Sequence, residues 1–282
     1  MPTLKEIKGR IASVQSTLKI TSAMKLVSSA KLRKAQAAIE SMRPYSDRLQ
    51  GILSRLLSAP GVSGLPGYGT AGETDAVVIV AISSNSSLCG AFNANVIRRV
   101  KQLLAEYPGA TVYSIGRKVA DALRKAGYPS PEDLNHLSEH PSYAAAASLS
   151  GRFREAFSQG KVGKVLLVYN HFFSTARQST VTETFLPASL EPAETAPEET
   201  DYILEPDPAA LLSELYPKVV DLRLFTALLD SAAAEHAART VAMQMATDNG
   251  EQLLQELTLL YNKSRQQKIT SEILDLAAGA AQ

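Results

Sequence analysis

Cys89 sits in the turn Ser83-Ser84-Asn85-Ser86-Ser87-Leu88-Cys89-Gly90-Ala91, just before a helical pattern. A thiol at a helix N-terminus is favoured as the thiolate and could act as a nucleophile. No histidine lies near it in sequence, so a buried, inert cysteine is the plainer reading. The same strand–turn–helix invites a nucleotide, because ligands of parallel α/β sheets bind at the carboxyl ends of strands. Yet the turn has one glycine and no G-x-G-x-x-G, and the chain has no G-x-x-x-x-G-K-[ST]. A tight turn capped by Ser and Asn, with Gly90 giving the backbone its shape, is expected instead. His136 and His140 stand four apart, a spacing that could hold a metal from a helix, but Pro131 and Pro141 crowd that stretch. No catalytic, cofactor-binding or metal site is expected.

Two charged or polar stretches have the chemistry of recognition. Lys25, Lys31, Arg33 and Lys34 give the first helix a basic face. Such a face is either simply solvated or made for an acidic partner, nucleic acid or protein. Aromatic interleaving is absent from residues 1–44, which weakens the single-strand nucleic-acid reading. The second stretch, Asn262 to Lys268, interrupts an otherwise apolar helix stripe with Asn-Lys-Ser-Arg-Gln-Gln-Lys. Side chains there could donate hydrogen bonds to a surrounding partner, with Arg265 able to grip a carboxylate through two bonds.

The elements that must carry these residues are readable from pattern. Lys218 to Gln282 runs 65 residues without a proline, rich in Ala, Leu, Glu, Gln, Met, Lys and Arg. As one helix it would be about 100 Å long, too long for a compact domain to bury. Leu253, Leu257 and Leu260, then Ile269, Ile273 and Leu276, step by four and three. At the other end Thr3 and Glu6 form a capping box. Leu4, Ile7, Ile11, Val14 and Leu18 then make a heptad-like seam, continued by Ile20, Met24 and Val27. Pro44 is expected to bend or interrupt this helix, and Pro217 to bend the C-terminal one.

Between them the texture changes. Asp75–Ile82 is a β-branched run, typical of a strand buried on both faces. Helices are predicted over about Asn93–Glu106, Arg117–Lys125 and Tyr143–Phe157. Strands are predicted over Thr111–Ile115, Val162–Asn170 and Thr180–Phe185. That alternation implies an α/β layer with a mostly parallel sheet. Segments 58–74 and 187–208, rich in proline and, in the first case, glycine, read as linkers. The layout is an N-terminal coiled-coil helix over 1–57, a Rossmann-like α/β domain over 75–186 and a C-terminal coiled-coil helix over 209–282. The terminal helices most simply return alongside each other as an antiparallel coiled coil. The longer should then extend past the shorter by about 35 Å as a single helix.

Composition agrees. The net charge is +1, so nothing marks the whole chain for nucleic acid. Residues 1–57 hold eleven Lys/Arg against three Asp/Glu, while residues 183–208 hold eight Asp/Glu and no Lys/Arg. One basic end and one acidic stretch suggest local partner surfaces. A single cysteine excludes an intramolecular disulfide and fits a reducing compartment. The N-terminus has no apolar core or small-residue cleavage site of a secretory signal. No stretch of 18 apolar residues is present to span a membrane.

At the two ends the residues become specific. Ile11 to Val27 (Ile-Ala-Ser-Val-Gln-Ser-Thr-Leu-Lys-Ile-Thr-Ser-Ala-Met-Lys-Leu-Val), Lys31–Gln36 and Met42-Arg43-Pro44-Tyr45 resemble the first helix of the gamma subunits of F-type ATP synthases. Asp248-Asn249 and the run Leu260 to Ile273 resemble that family's C-terminal signature. Leu88-Cys89-Gly90 with Asn93 resembles its central turn. Asn85-Ser86-Ser87 stand where the family usually has Asp-Arg-Gly, and Ala91 where Gly is common.

The resemblance implies a non-catalytic rotor subunit, one copy per complex. Its shaft would turn inside a ring of three alpha and three beta subunits, and its α/β domain would meet epsilon and the c-ring. It implies a partner-binding role for Arg265 and Gln266, toward a beta-subunit loop. It also implies one for Met24, Lys25, Thr270 and Glu272, in a coupling zone where the two helices meet. The basic face would look toward acidic beta segments. The expected location is the cytoplasmic side of a bacterial inner membrane, peripheral and held by other subunits. The contrasting reading is a coiled-coil arm that binds nucleic acid.

Overall fold

A computed structural model describes residues 3–57, 74–188, 205 and 207–280. Most of the two expected linkers, 58–74 and 187–208, lies outside the described residues. The elements are α1 (Leu4–Leu57), β1 (Val77–Ile82), α2 (Phe92–Glu106), β2 (Thr111–Ile115), α3 (Arg117–Lys125), α4 (His136–Glu139), α5 (Tyr143–Ser158), β3 (Lys164–Phe172), β4 (Gln178–Leu186) and α6 (Pro208–Ala280). Two compact units arise, Met1–Ser29 with Arg239–Gln282, and Ala30–Ala238. Their boundaries cut through α1 and α6 and not through the linkers, because both long helices supply packing surface to each unit in turn.

In the 30–238 unit the four strands run in the order β2-β1-β3-β4. β1 pairs parallel with β2 and β3, whereas β3 and β4 are antiparallel. β4 is therefore an antiparallel edge on a parallel core, reached by a short hairpin for which no crossover helix is needed. Period-2 alternation divides β1 between two cores. Val78, Val80 and Ile82 face Phe153 and Phe157 of α5, Leu49, Leu53 and Leu56 of α1, and Leu212, Tyr216 and Val220 of α6. Val77, Ile79 and Ala81 face Val96, Val100 and Leu103 of α2 and Val119 and Leu123 of α3.

That first core explains why two prolines fail to break their helices. Pro44 lies inside α1 and Pro217 inside α6. A mid-helix proline costs about 3 kcal/mol. Leu49, Leu53 and Leu56 beyond Pro44, and Leu212, Tyr216, Val219 and Val220 around Pro217, are all buried. Each such side chain contributes about 1.5–3 kcal/mol, so packing on both sides outweighs the lost turn.

The other unit is a pair of helices. Thr3 and Glu6 close the capping box: the Thr3 N–H donates to Glu6 Oε2 at 2.9 Å and the Glu6 N–H to Thr3 Oγ1 at 3.3 Å. Three cross-helix contacts define the pairing. Lys25 Nζ donates to Gln244 Oε1 at 2.9 Å, and Thr247 Oγ1 lies 2.9 Å from Thr21 Oγ1. A Cβ added to Gly250 would stand 2.7 Å from Leu18 Cδ2. Partners move down α1 as they move up α6, so the pair is antiparallel.

Candidate partner interface

The turn after β1 is where an α/β sheet usually binds its ligand. Its polar groups are spent on the fold. At the N-terminus of α3, the Arg117 N–H donates to Asn85 Oδ1 at 2.9 Å, the Lys118 N–H to the Ser84 carbonyl at 3.2 Å and the Val119 N–H to Ser83 Oγ at 3.1 Å. Those three amides open α3 beside this turn, and none of the three is left to hold a phosphate. Asn93 Oδ1 accepts from the Ser84 N–H at 3.0 Å, and its Nδ2 donates to Cys89 Sγ at 3.1 Å. Cys89 is buried. Gly90 has φ +58°, the left-handed shape expected of it. His136 and His140 are both exposed, and His140 closes the single turn of α4 from outside it. Among the described residues no group of three His, Cys, Asp or Glu side chains is placed to hold a metal.

The topological switch point of the sheet lies between β1 and β3. There Cys89, Phe92 and Phe172 pack on Ala234 and Ala238 of α6, and Phe172 also packs beside Ala233 and Ala237. The crevice is filled by the alanine face of the chain's own helix. Polar anchors hold the same helix. Arg154 Nη2 donates to Asp221 Oδ1 at 3.0 Å, and Arg223 donates to the Thr184 carbonyl at 3.2 Å. Asp230 takes the Phe172 N–H at 3.0 Å and pairs with His171 Nδ1. Burial raises the Asp230 carboxyl above its ordinary value, while the Phe172 N–H and His171 pull it back. Sequence reasoning missed these anchors, since single charges on a helix look solvated until the neighbouring element is known.

In the helix pair, the predicted recognition residues fall into two groups. Met24 and Lys25 are half-buried, with Lys25 held by Gln244. Arg265, Gln266, Thr270 and Glu272 are exposed, and Lys268 Nζ reaches Glu272 Oε1 at 3.6 Å. The antiparallel register sets Lys25 beside Gln244, so Thr270 and Glu272 lie about 40 Å further along α6. The expected meeting of Met24 and Lys25 with Thr270 and Glu272 in one zone is thus corrected. The register also brings the start of α1 level with about Ser264. Residues 265–280 then continue as a single helix for about 24 Å, shorter than the sequence suggested because α1 starts at its capping box and pairs along its length.

From Arg265 to Leu274 every side chain is exposed. The apolar ones include Ile269, Ile273 at 59 % and Leu274 at 63 %, with Leu276 following at 74 %. Leu259 is 71 % exposed just before them. Nearer the middle of the pair Ile20, Leu26, Val27 and Met245 are exposed as well. Large apolar side chains grouped on one surface mark a site that another protein covers.

Antiparallel long helices, a sheet domain whose ligand crevice is filled from within, and an apolar single-helix tip define a coiled-coil subunit made to be enclosed by partners. The comparisons give that class its family. A family model described as ATP synthase matches residues 3–282. An ATP synthase gamma chain of Phocaeicola vulgatus is 49% identical over 288 residues, covering 99% of each chain. One of Bacteroides thetaiotaomicron is 47% identical over 299 residues and covers 100% of both. The fold is similar to a chain in the Euglena gracilis mitochondrial ATP synthase, with a TM-score of 0.68 at 21% identity, covering 99% of this chain and 93% of that one. The chain belongs to the ATP synthase gamma-chain family, the non-catalytic central-stalk subunits of the rotary F-type ATP synthases. No described helix is long and apolar enough to cross a membrane.

Proposed function

We propose that the helix pair is the shaft that turns inside a ring of three alpha and three beta subunits, with its single-helix tip as the deepest point. The observation that carries this is the tip itself: residues 265–276 combine exposed Arg265 and Gln266 with exposed Ile269, Ile273, Leu274 and Leu276. Left bare in water, such a surface would aggregate; enclosed by a ring it becomes a bearing. Arg265 and Gln266 would donate to a beta-subunit loop, Thr270 and Glu272 would meet the ring beside them, and Met24 with Lys25 would meet it further down. Lys31, Arg33 and Lys34, exposed on α1, suit acidic beta segments. The α/β domain would meet epsilon and the c-ring, one copy of this chain serving each complex at the cytoplasmic face of the inner membrane. Ion flow would turn the c-ring, and the off-axis shaft would drive the beta sites through successive nucleotide affinities.

Reconstitution tests this. The chain is mixed with matching alpha and beta subunits, purified by size, and assayed for ATP hydrolysis with and without residues 261–282. A complex with one copy per three alpha–beta pairs, whose turnover changes on truncation, is expected. Elution of the chain alone at every salt concentration would overturn the proposal.

A further inference from the structure

Within the paired helices one layer joins two buried hydroxyls across the seam. Most of the seam is built from Leu, Ile, Met and Ala, side chains that recur at every turn of α6. Such layers re-form after one helix slides a turn along the other, so they hold the helices together without choosing a register. Three neighbouring features do choose. Thr21 and Thr247 are buried at 9 % and 7 % exposure and meet hydroxyl to hydroxyl at 2.9 Å. Each hydroxyl also lies within reach of a carbonyl of its own helix, Thr21 of Leu18 at 3.2 Å and Thr247 of Met243 at 2.9 Å, so the pair shares its two protons between the cross-helix bond and these local acceptors. One turn away, Gly250 leaves the room that Leu18 fills. On the other side Lys25, Gln244 and Asp248 form a hydrogen-bonded chain, the Gln244 amide donating to Asp248 Oδ1 at 2.6 Å.

We propose that Thr21, Thr247 and Gly250 are positioning residues that lock α1 and α6 in a single axial register. A slip of one turn would set Thr21 against Met243 or Glu251 and put Ala246 or Leu254 where Leu18 now finds glycine. Each alternative loses the threonine pair and meets a side chain in place of the gap. A buried polar pair between two helices is a known means of selecting register at some expense in stability. The lock rests on the shaft reading for its purpose: a shaft whose helices slide under torque changes its tip height and its off-axis profile, and transmits less of each step.

The test uses the full chain, alone and assembled with its ring. In the locked register Val14, one turn before Leu18, stands beside Leu254, one turn after Gly250. Cysteines at Val14 and Leu254 therefore report this register, and cysteines at Val14 and Thr258 report a one-turn slip. With native threonines the first pair should dominate and the second should give only a small product. In a Thr21→Val, Thr247→Val background, which keeps volume and removes the hydroxyls, the slipped product should rise about fivefold to tenfold, the shift expected from losing one buried hydrogen bond. Ion pumping per ATP hydrolysed, measured without the cysteines, should fall in that background. Thr21→Ser with Thr247→Ser should restore both readouts. A valine pair that cross-links only in the original register and pumps normally overturns the lock. Cross-linking in the isolated chain does not depend on assembly, so failure to enter the ring would speak against the shaft and leave the register result standing.

Discussion

Gly116 shows how one residue can hold the turn that decides what the α/β unit does not bind. Its φ is +102°, and a Cβ there would lie 2.2 Å from the Ser83 carbonyl oxygen. Backbone cannot swing aside as a side chain end can, so strain and clash add. Gly116→Ala should lower the stability of the unit by about 3 kcal/mol, read from denaturant unfolding of the full chain. An unchanged midpoint would mean the turn has slack that its hydrogen bonds do not suggest. Asp230 makes a prediction about pH. A carboxyl raised by burial binds its proton more tightly in the folded state. Its stabilising contribution is therefore complete below the unfolded pKa and is lost as pH rises through the raised value. Asp230→Asn keeps an acceptor for the Phe172 N–H but cannot titrate. Relative to the unsubstituted chain the variant should gain stability as pH climbs from the ordinary carboxylate range toward neutrality. Parallel melting curves at every pH would show that His171 and the Phe172 N–H already cancel the burial of the charge.

At the scale of elements, periodicity carried far. β2 and α3 have the bounds that alternation and amphipathicity suggested, and α2 and α5 differ from expectation by one residue at one end. Those elements announce themselves because their apolar faces meet cores made of neighbouring segments. The prolines show the complementary limit. Local chemistry argues for a bend or interruption at Pro44 and a bend at Pro217, and only distant packing decides that both helices run through them. The register of α1 on α6 was illegible for a third reason: a heptad seam states that a partner exists but not which turn it meets, and the deciding Thr21 and Thr247 look like ordinary lapses in a stripe. The tip was the most legible part, since the polar run after Tyr261 has no use in a buried helix. It also gives the sharpest element-scale prediction. Arg265 and Gln266 are exposed and lie beyond α1, so nothing in the fold depends on them. Arg265→Ala and Gln266→Ala should leave the melting of the chain within about 0.5 kcal/mol of normal and should weaken assembly or the coupling of rotation to ATP synthesis. Normal assembly and synthesis would remove these two from the interface.

For the molecule as a whole, the question is why a sheet of this topology, common among nucleotide enzymes, should sit in a stalk. Two places where such a sheet could hold a phosphate are closed. The amides that open α3 are taken by Ser83, Ser84 and Asn85, and the crevice between β1 and β3 is filled by Ala234 and Ala238 against Phe92 and Phe172. The space that holds a ligand in an enzyme holds a shaft helix here, which ties the domain to the element it must turn. This requires that the purified chain, free of alpha and beta subunits, show neither saturable ATP binding nor turnover above buffer. Adding Mg²⁺ should change nothing, because no group of three His, Cys, Asp or Glu side chains among the described residues is placed to hold the ion. Nucleic acid gives the matching control. With a net charge of +1 the chain should bind a duplex weakly even in dilute salt, and tight binding that fell steeply with salt would favour the arm reading. Turnover by pure chain would be the more damaging result, since it would mean that α6 leaves the crevice and that the helix anchored by Asp221 and Asp230 is not fixed to the domain at all.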